Sequence, residues 1–189
     1  DEVLRHFKED QDEKLYDDLL EYHRGISDLP VDGFYDLIVA WDFHTYLQEK
    51  IQISPIIWLY AVPERGKSRT GLGMVYVAYR GLAVESLREA YIFRVARDYS
   101  ATLFFDVIDI WRKAGRANCE DTVLGRCARG LTVPRVIFPE RGAYKDMEFY
   151  HVFGPTIIGS NASVHPALAS RCIQINMPPV FIGLLIGAA

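Results

Sequence analysis

The 189-residue sequence has few cysteines, no excess of positive charge and no apolar run long enough to cross a membrane. Its three cysteines, Cys119, Cys127 and Cys172, show no tight pairing and no usual zinc spacing. We therefore expect free thiols in a reducing, cytoplasmic compartment, and no metal site built from protein ligands alone. The formal net charge of −4 argues against a strongly basic nucleic-acid-binding protein. The longest apolar run, residues 179–189, falls short of the about 20 residues that a membrane helix needs, so we expect no membrane partner.

Helical and strand-like patterns alternate along the chain, which predicts an α/β fold with a mostly parallel sheet flanked by helices. We divide the sequence into an N-terminal helical segment (1–31), a main domain (32–178) and an apolar C-terminal tail (179–189). Helices are predicted at 3–24, from Asp32 to about Lys50, after Ser68, at 86–98, around Trp111, and from Asn118 to Gly130. Strands are predicted at 55–61, 101–106, 133–138, 155–161 and 171–177, with an edge strand at 149–153.

The most informative segment is residues 61–68, which read Ala-Val-Pro-Glu-Arg-Gly-Lys-Ser and follow a buried strand. A strand that runs into Gly-Lys-Ser is typical of the phosphate-binding loop with the consensus G-x-x-x-x-G-K-[ST]. Backbone N–H groups of such a loop cradle phosphates, the lysine reaches the β- and γ-phosphates, and the hydroxyl meets Mg²⁺. Ala61 stands where the consensus has its first glycine, so the match is incomplete. The candidate cofactor-binding residues are Pro63, Glu64, Arg65, Gly66, Lys67, Ser68 and Arg69.

Two further strands end in residues that suit the same chemistry. Asp106 ends an apolar strand and, together with Ser68, is the predicted ligand of Mg²⁺. Asn161 ends another strand and is predicted to orient an attacking water. Because ligands of open α/β sheets bind at the carboxyl ends of the strands, these residues should lie together. Arg171 is predicted to contact a phosphate, either in its own subunit or in a neighbouring one.

Each of these residues also has a purely structural interpretation. Asp106 could cap the helix that follows it, Asn161 is a common turn residue, and Arg171 could form a weak surface ion pair. The phosphate loop, Asp106, Asn161 and Arg171 occur in the order that a nucleotide-binding site requires, and this order favours the site.

The order of motifs resembles the P-loop ATPases of the additional-strand class, which include the AAA+ and superfamily 3 helicase-like proteins. Within that class it is similar to the ATPase domains of primase-associated and mobile-element replication proteins. The segments that carry the resemblance are 63–69, 101–106, 153–161 and 165–171, and it extends over about residues 34–177. It implies that 32–178 is a P-loop ATPase domain that binds ATP and Mg²⁺, assembles into a homo-oligomer or ring, and works on single-stranded or duplex DNA.

The sequence departs from this family directly after Asp106. Such ATPases usually carry a glutamate at the next position as the base that activates water, and here that residue is Val107. Asp109 is the predicted substitute, with Glu120 and Asp121 as alternatives. If none of them acts, the chain binds ATP without hydrolysing it.

Two other functions fit the same motifs. A P-loop kinase also lacks that glutamate, and an arginine lid could come from Arg126, Arg129, Arg135 and Arg141. A non-catalytic module could hold ATP as a structural ligand.

Charge is unevenly distributed, because residues 1–24 hold nine acidic and four basic side chains while residues 106–145 hold eight basic and five acidic ones. The basic residues could face DNA or simply be solvated on helix surfaces. The candidates for a DNA-facing surface are Arg112, Lys113, Arg116, Arg126, Arg129 and Arg135.

Overall fold

The computed structural model describes residues 12–85, 89–136 and 147–178. Its helices are α1 (Asp12–Ile26), α2 (Gly33–Tyr46), α3 (Lys67–Val77), α4 (Glu89–Tyr99), α5 (Ile110–Ala117), α6 (Glu120–Gly125) and α7 (Pro166–Ala169). Its strands are β1 (Ile56–Tyr60), β2 (Gly81–Val84), β3 (Thr102–Asp106), β4 (Thr132–Val136), β5 (Met147–His151), β6 (Thr156–Ser160) and β7 (Cys172–Asn176).

Five strands form one parallel sheet in the order β2-β3-β6-β1-β7. The predicted α/β fold with a mostly parallel sheet flanked by helices is therefore confirmed. Strand β6 lies between β1, which leads into the phosphate loop, and β3, which ends at Asp106. The parallel arrangement puts the carboxyl ends of all three strands at one edge of the sheet.

The core lies on both faces of this sheet, because side chains of successive strand residues point to opposite faces. On one face, Ile57 and Leu59 of β1 pack with α2 and α3, and α1 lies outside these two helices. On the other face, Ile56 and Trp58 pack with α4, α5, α6 and α7. We call these the α3 face and the α5 face. Among the helices of the described ranges, none has both the length and the apolar character that crossing a membrane requires.

Two strand predictions need correction. The strands expected at 133–138 and 149–153 are β4 and β5, which pair with each other in a separate antiparallel ribbon and not in the parallel sheet. Residues 137 and 138 lie outside the described residues. Strand β2 was not predicted, because only Val84 of its four residues is buried and an exposed edge strand needs no apolar run.

Several helix boundaries also differ from the predictions. The first helix ends at Ile26, and residues 3–11 of its predicted span lie outside the described residues, as do 86–88 and the tail 179–189. The second helix ends at Tyr46, and Asp32 stands at its N-cap position without a side-chain cap hydrogen bond. Asn118 does not start a helix: it ends α5 in the left-handed conformation, with φ 51°, and α6 then runs only to Gly125.

Candidate nucleotide-binding site

The segment between β1 and α3 turns tightly around two left-handed residues. Glu64 has φ 65° and Gly66 has φ 78°. Glycine adopts this conformation without steric cost, whereas the non-glycine residue at 64 is strained, and such strain is concentrated at functional sites. Helix α3 begins directly after Gly66, which has no side chain that could cap the helix. The first N–H groups of this 11-residue helix have no intrahelical acceptor, so the loop and the helix end together offer donors to an anion.

Lys67 lies inside this turn and is buried. Its ammonium group donates hydrogen bonds to the carbonyl oxygens of Ala61, at 3.0 Å, and Val62, at 2.9 Å. Burial lowers the pKa of Lys67, and the negative charge of Asp106 partly offsets this effect. Ala61, in the place of the first consensus glycine, is itself buried in the core of the α3 face and turns its carbonyl oxygen to the lysine.

Asp106 ends β3 at the same edge of the sheet. It stands opposite Gly159 in the register of β3 and β6, while Tyr60 of β1 stands opposite Ser160. Neighbouring strands are about 4.8 Å apart, so the ends of β1 and β3 are roughly 10 Å apart with β6 between them. A Cβ atom at Gly159 would lie 3.4 Å from the Oδ1 atom of Asp106. Gly159, which the sequence did not single out, therefore leaves room beside the carboxylate.

Asn161 follows β6 and lies between the phosphate loop and Asp106 in the order of the strands. Its backbone N–H donates to the carbonyl oxygen of Ile108 at 3.0 Å, which ties the turn after β6 to the turn after β3. Next to it, the hydroxyl of Ser160 accepts a hydrogen bond from the Trp58 indole at 2.9 Å and donates to the carbonyl of Ala162. Lys67, Asp106 and Asn161 thus lie at one edge of the sheet, as their strand-end positions indicate.

The other loop residues are less buried than Lys67. Arg65 is half-buried, and Pro63, Glu64 and Ser68 are exposed, with Ser68 in the first turn of α3. Arg69 forms an exposed ion pair with Asp28 at 3.4 Å.

Asp109 and Val107 have different surroundings. Asp109 is the N-cap of α5, and its Oδ1 atom accepts a hydrogen bond from the backbone N–H of Arg112 at 3.0 Å. Val107 is packed in the core of the α5 face, and its side chain cannot accept a proton. The role of Asp109 as a base stays a prediction, with a capping role beside it.

A cleft of about 470 Å³ opens beside Asp106. It lies between the turn after β3, Glu85 at the end of β2, and helix α5. Lys113 crosses part of it and donates a hydrogen bond to the backbone carbonyl of Glu85. The sequence did not predict Glu85 at this place, because β2 was not recognised. The lining residues are Glu85, Asp106, Val107, Ile108, Asp109, Arg112, Lys113 and Arg116.

Arg171 lies at the other end of the strands, where their amino ends are. Its carbonyl oxygen accepts a hydrogen bond from Ile56 at the amino end of β1, and its guanidinium donates to the carbonyl of Ala167. A five-residue strand is about 16 Å long. The structure therefore does not bring Arg171 together with Lys67 within one copy of the chain.

The prediction that Arg126 belongs to a DNA-facing surface or to an arginine lid is wrong. Arg126 is completely buried, and it donates hydrogen bonds to the carbonyl oxygens of Ala101, Val152 and Pro155 and to the Thr156 hydroxyl. Burial lowers its pKa to about 9. Arg126 fastens the amino ends of β3 and β6 to the β4–β5 ribbon, so it cannot contact DNA or close over a ligand.

The arrangement fits a Mg²⁺-bound nucleoside triphosphate in donor chemistry. A buried ammonium group and the first N–H groups of a helix suit phosphate oxygens, and carboxylate and hydroxyl oxygens, which Asp106 and Ser68 supply, suit Mg²⁺. Lys67 and Asp106 interact electrostatically, so their positions are compatible with one shared ligand. Within the described ranges, no group of three or more His, Cys, Asp or Glu side chains could hold a metal on its own. A metal at this site would therefore depend on ligand oxygens as well.

Comparisons with known proteins support the fold. No protein-family model and no curated protein sequence matches the chain. A solved structure similar to it is a JC virus helicase, crystallised with a bound acetamide compound, with a TM-score of 0.50 and 14% sequence identity. The similarity covers 88% of this chain and 46% of the helicase chain, so the chain spans about half the length of that protein. At this identity the likeness shows the fold alone, which is an α/β fold with a parallel sheet flanked by helices.

Proposed function

We propose that the chain binds Mg²⁺–ATP at the carboxyl edge of its parallel sheet and hydrolyses it to ADP and phosphate, as a helicase-like motor domain acting on DNA. The observation that carries the proposal is geometric: Lys67 follows β1 and Asp106 ends β3, and only β6 separates these two parallel strands. This arrangement supports a single site for the phosphates and the metal. The helicase-like fold supports nucleotide binding in general and makes DNA and further copies of the chain reasonable partners.

The residues have separate tasks in this mechanism. Lys67 and the first N–H groups of α3 bind phosphate oxygens, for which Lys67 exchanges its bonds to Ala61 and Val62. Ser68 and Asp106 would hold the metal, which would supply charge neutralisation at the phosphates. Asn161 orients the attacking water by hydrogen bonding. Arg171 acts on the nucleotide of a neighbouring copy, because in its own copy it lies at the amino ends of the strands, away from Lys67.

A second candidate is a module that binds ATP and does not hydrolyse it. Two observations favour it: Val107 is buried where the family has its base, and Asp109 is engaged as a helix cap. A single-turnover measurement separates the candidates, with radiolabelled ATP mixed with excess protein in the presence and absence of single-stranded DNA. If the chain is an ATPase, we expect ADP and free phosphate. If it is a non-hydrolysing module, we expect bound ATP only, and if it is a kinase, we expect phosphate on an added acceptor.

The control for this experiment is Lys67→Ala. Loss of ATP binding in this variant, with an unchanged thermal unfolding curve, supports the phosphate loop as the site. ATP affinity equal to that of the wild type would refute the proposal.

A further inference from the structure

Two surface regions on opposite faces of the molecule, residues 14–36 and helix α5, expose charges of opposite sign. On the α3 face, every charged side chain of residues 14–36 other than the buried His23 is exposed, and carboxylates outnumber cations by six to two. Helix α1 is the outermost element there, because it packs on α2 and α3. The carboxylates are Asp17, Asp18, Glu21, Asp28, Asp32 and Asp36, and the cations are Lys14 and Arg24.

On the α5 face, helix α5 exposes three cations and contains no carboxylate. Its apolar Ile110 and Ala114 are buried in the core, so Arg112, Lys113 and Arg116 lie on its outer side. The side chain of Arg112 is 67% exposed, and its only ion pair among the described residues is with the capping Asp109, at 3.7 Å. Within the described ranges, no carboxylate lies at ion-pair distance from Lys113 or Arg116.

We infer that α5 of one copy docks against the acidic surface formed by residues 14–36, which includes most of α1, on a second copy. Asp17 and Glu21 are four residues apart on one helix, and Arg112 and Arg116 are four residues apart on the other, so the pairs have the same spacing. Because the two surfaces are on opposite faces of one molecule, the contact is head-to-tail, and repeated contacts build a ring or a filament.

Apolar side chains accompany the charges on both surfaces. Leu15 of α1 is 43% exposed, and Ile108, beside α5, is 72% exposed. Apolar contact combined with opposite charge is typical of a protein interface. A nucleic-acid backbone is uniformly negative, and it would meet Glu85 and Asp109 in the same cleft. These features favour a second copy of the chain over nucleic acid as the occupant.

This docking would explain how copies of the chain assemble in the proposed function. Only the role of Arg171 in it depends on that proposed function. Helix α7, which precedes Arg171, packs in the α5-face core, and His165 stacks on Trp111 of α5 at 4.7 Å between ring centres. The phosphate-loop helix α3 lies on the opposite face with α1. Head-to-tail docking therefore turns the face of one copy on which α7 lies toward the face of the next on which α3 lies.

Charge-reversal variants of the whole 189-residue chain test the docking. One variant combines Asp17→Lys, Asp18→Lys and Glu21→Lys, and the other combines Arg112→Glu, Lys113→Glu and Arg116→Glu. All six positions are exposed, so circular dichroism should show unchanged folding. Sedimentation velocity without nucleotide measures association, and it stays informative if ATP binding fails. Glu49→Lys with Lys50→Glu, two exposed positions outside both surfaces, is the matched control.

The wild type and the control are expected to associate in a concentration-dependent way, and each reversed variant alone should associate roughly tenfold more weakly or worse. An equimolar mixture of the two variants should associate again, because each acidic surface then meets a basic one. A wild type that stays monomeric up to roughly 100 μM, reversals without effect, or a mixture that stays dissociated overturns the inference. It is also overturned if the α5 reversal removes single-stranded DNA binding and mixing restores no association, since the surface then binds nucleic acid.

Discussion

Lys67 lies within electrostatic reach of Asp106, although the loop carrying Lys67 follows β1, Asp106 ends β3, and β6 separates the two strands. Burial lowers the pKa of Lys67, and the Asp106 carboxylate raises it. The pKa of the lysine thus depends on a residue that comes 39 positions later in the sequence. The proposed phosphate and metal site would give this dependence a function.

Replacing Asp106 with asparagine should change the pH dependence of ATP binding. The substitution removes the effect that raises the pKa of Lys67, so this pKa falls further below its ordinary value. A neutral lysine binds phosphate poorly, and the loss of ATP affinity on the alkaline side should therefore begin at lower pH in Asp106→Asn than in the wild type. Fluorescent-ATP titrations from pH 6 to 10 without Mg²⁺ measure this separately from metal binding. A double variant with Lys67→Arg should lose the difference, and superimposable profiles of wild type and Asp106→Asn would contradict the interaction.

The close approach of α3 to the sheet gives a second prediction. A Cβ atom at Gly71 would overlap the ring of Phe104 on β3, whereas one at Gly25, near the end of α1, would meet nothing within 4 Å. Alanine gains about 1 kcal/mol of helix propensity over glycine, and overpacking costs about 1–3 kcal/mol. Gly71→Ala should therefore lower the free energy of unfolding, while Gly25→Ala should leave it unchanged or raise it by up to about 1 kcal/mol. Urea unfolding of both variants provides the comparison, and equal stabilisation of the two would disprove the packing argument.

The sequence predicted the parallel sheet and the positions of Lys67, Asp106 and Asn161, because buried parallel strands are continuous apolar runs and their polar ends are easily recognised. It did not predict β2, because an exposed edge strand lacks such a run. It also did not predict the burial of Arg126. An arginine that bonds carbonyl oxygens of distant segments has the same local sequence as one in solvent, so only the tertiary structure distinguishes the two.

Asp109 can be tested as a base separately from its capping role. Asp109→Asn keeps an oxygen that accepts the Arg112 N–H and removes the carboxylate, whereas Asp109→Ala removes both and should cost about 1 kcal/mol of stability. If Asp109 is the base, both variants should lose phosphate release by about 10²-fold or more. If it acts only as a cap, Asp109→Asn should keep turnover and stability. Steady-state phosphate release and thermal unfolding of the two variants distinguish these outcomes, with Glu49→Gln as an exposed acidic control.

Arg171 should act between copies of the chain. It lies at the amino end of β7, about 16 Å along the sheet from the edge where Lys67 lies, so Arg171→Ala should leave ATP affinity unchanged. Loss of an arginine that stabilises transferred phosphate costs about 10³-fold or more in turnover. Neither Arg171→Ala nor Lys67→Ala should release phosphate alone, but a mixture should, because a copy with an intact loop can meet a copy with an intact arginine. Phosphate release across mixing ratios measures this, and Arg171→Lys serves as the charge-preserving control. If Arg171→Ala is inactive and the mixture is no more active than its components, Arg171 acts on the nucleotide of its own copy or has only a structural role.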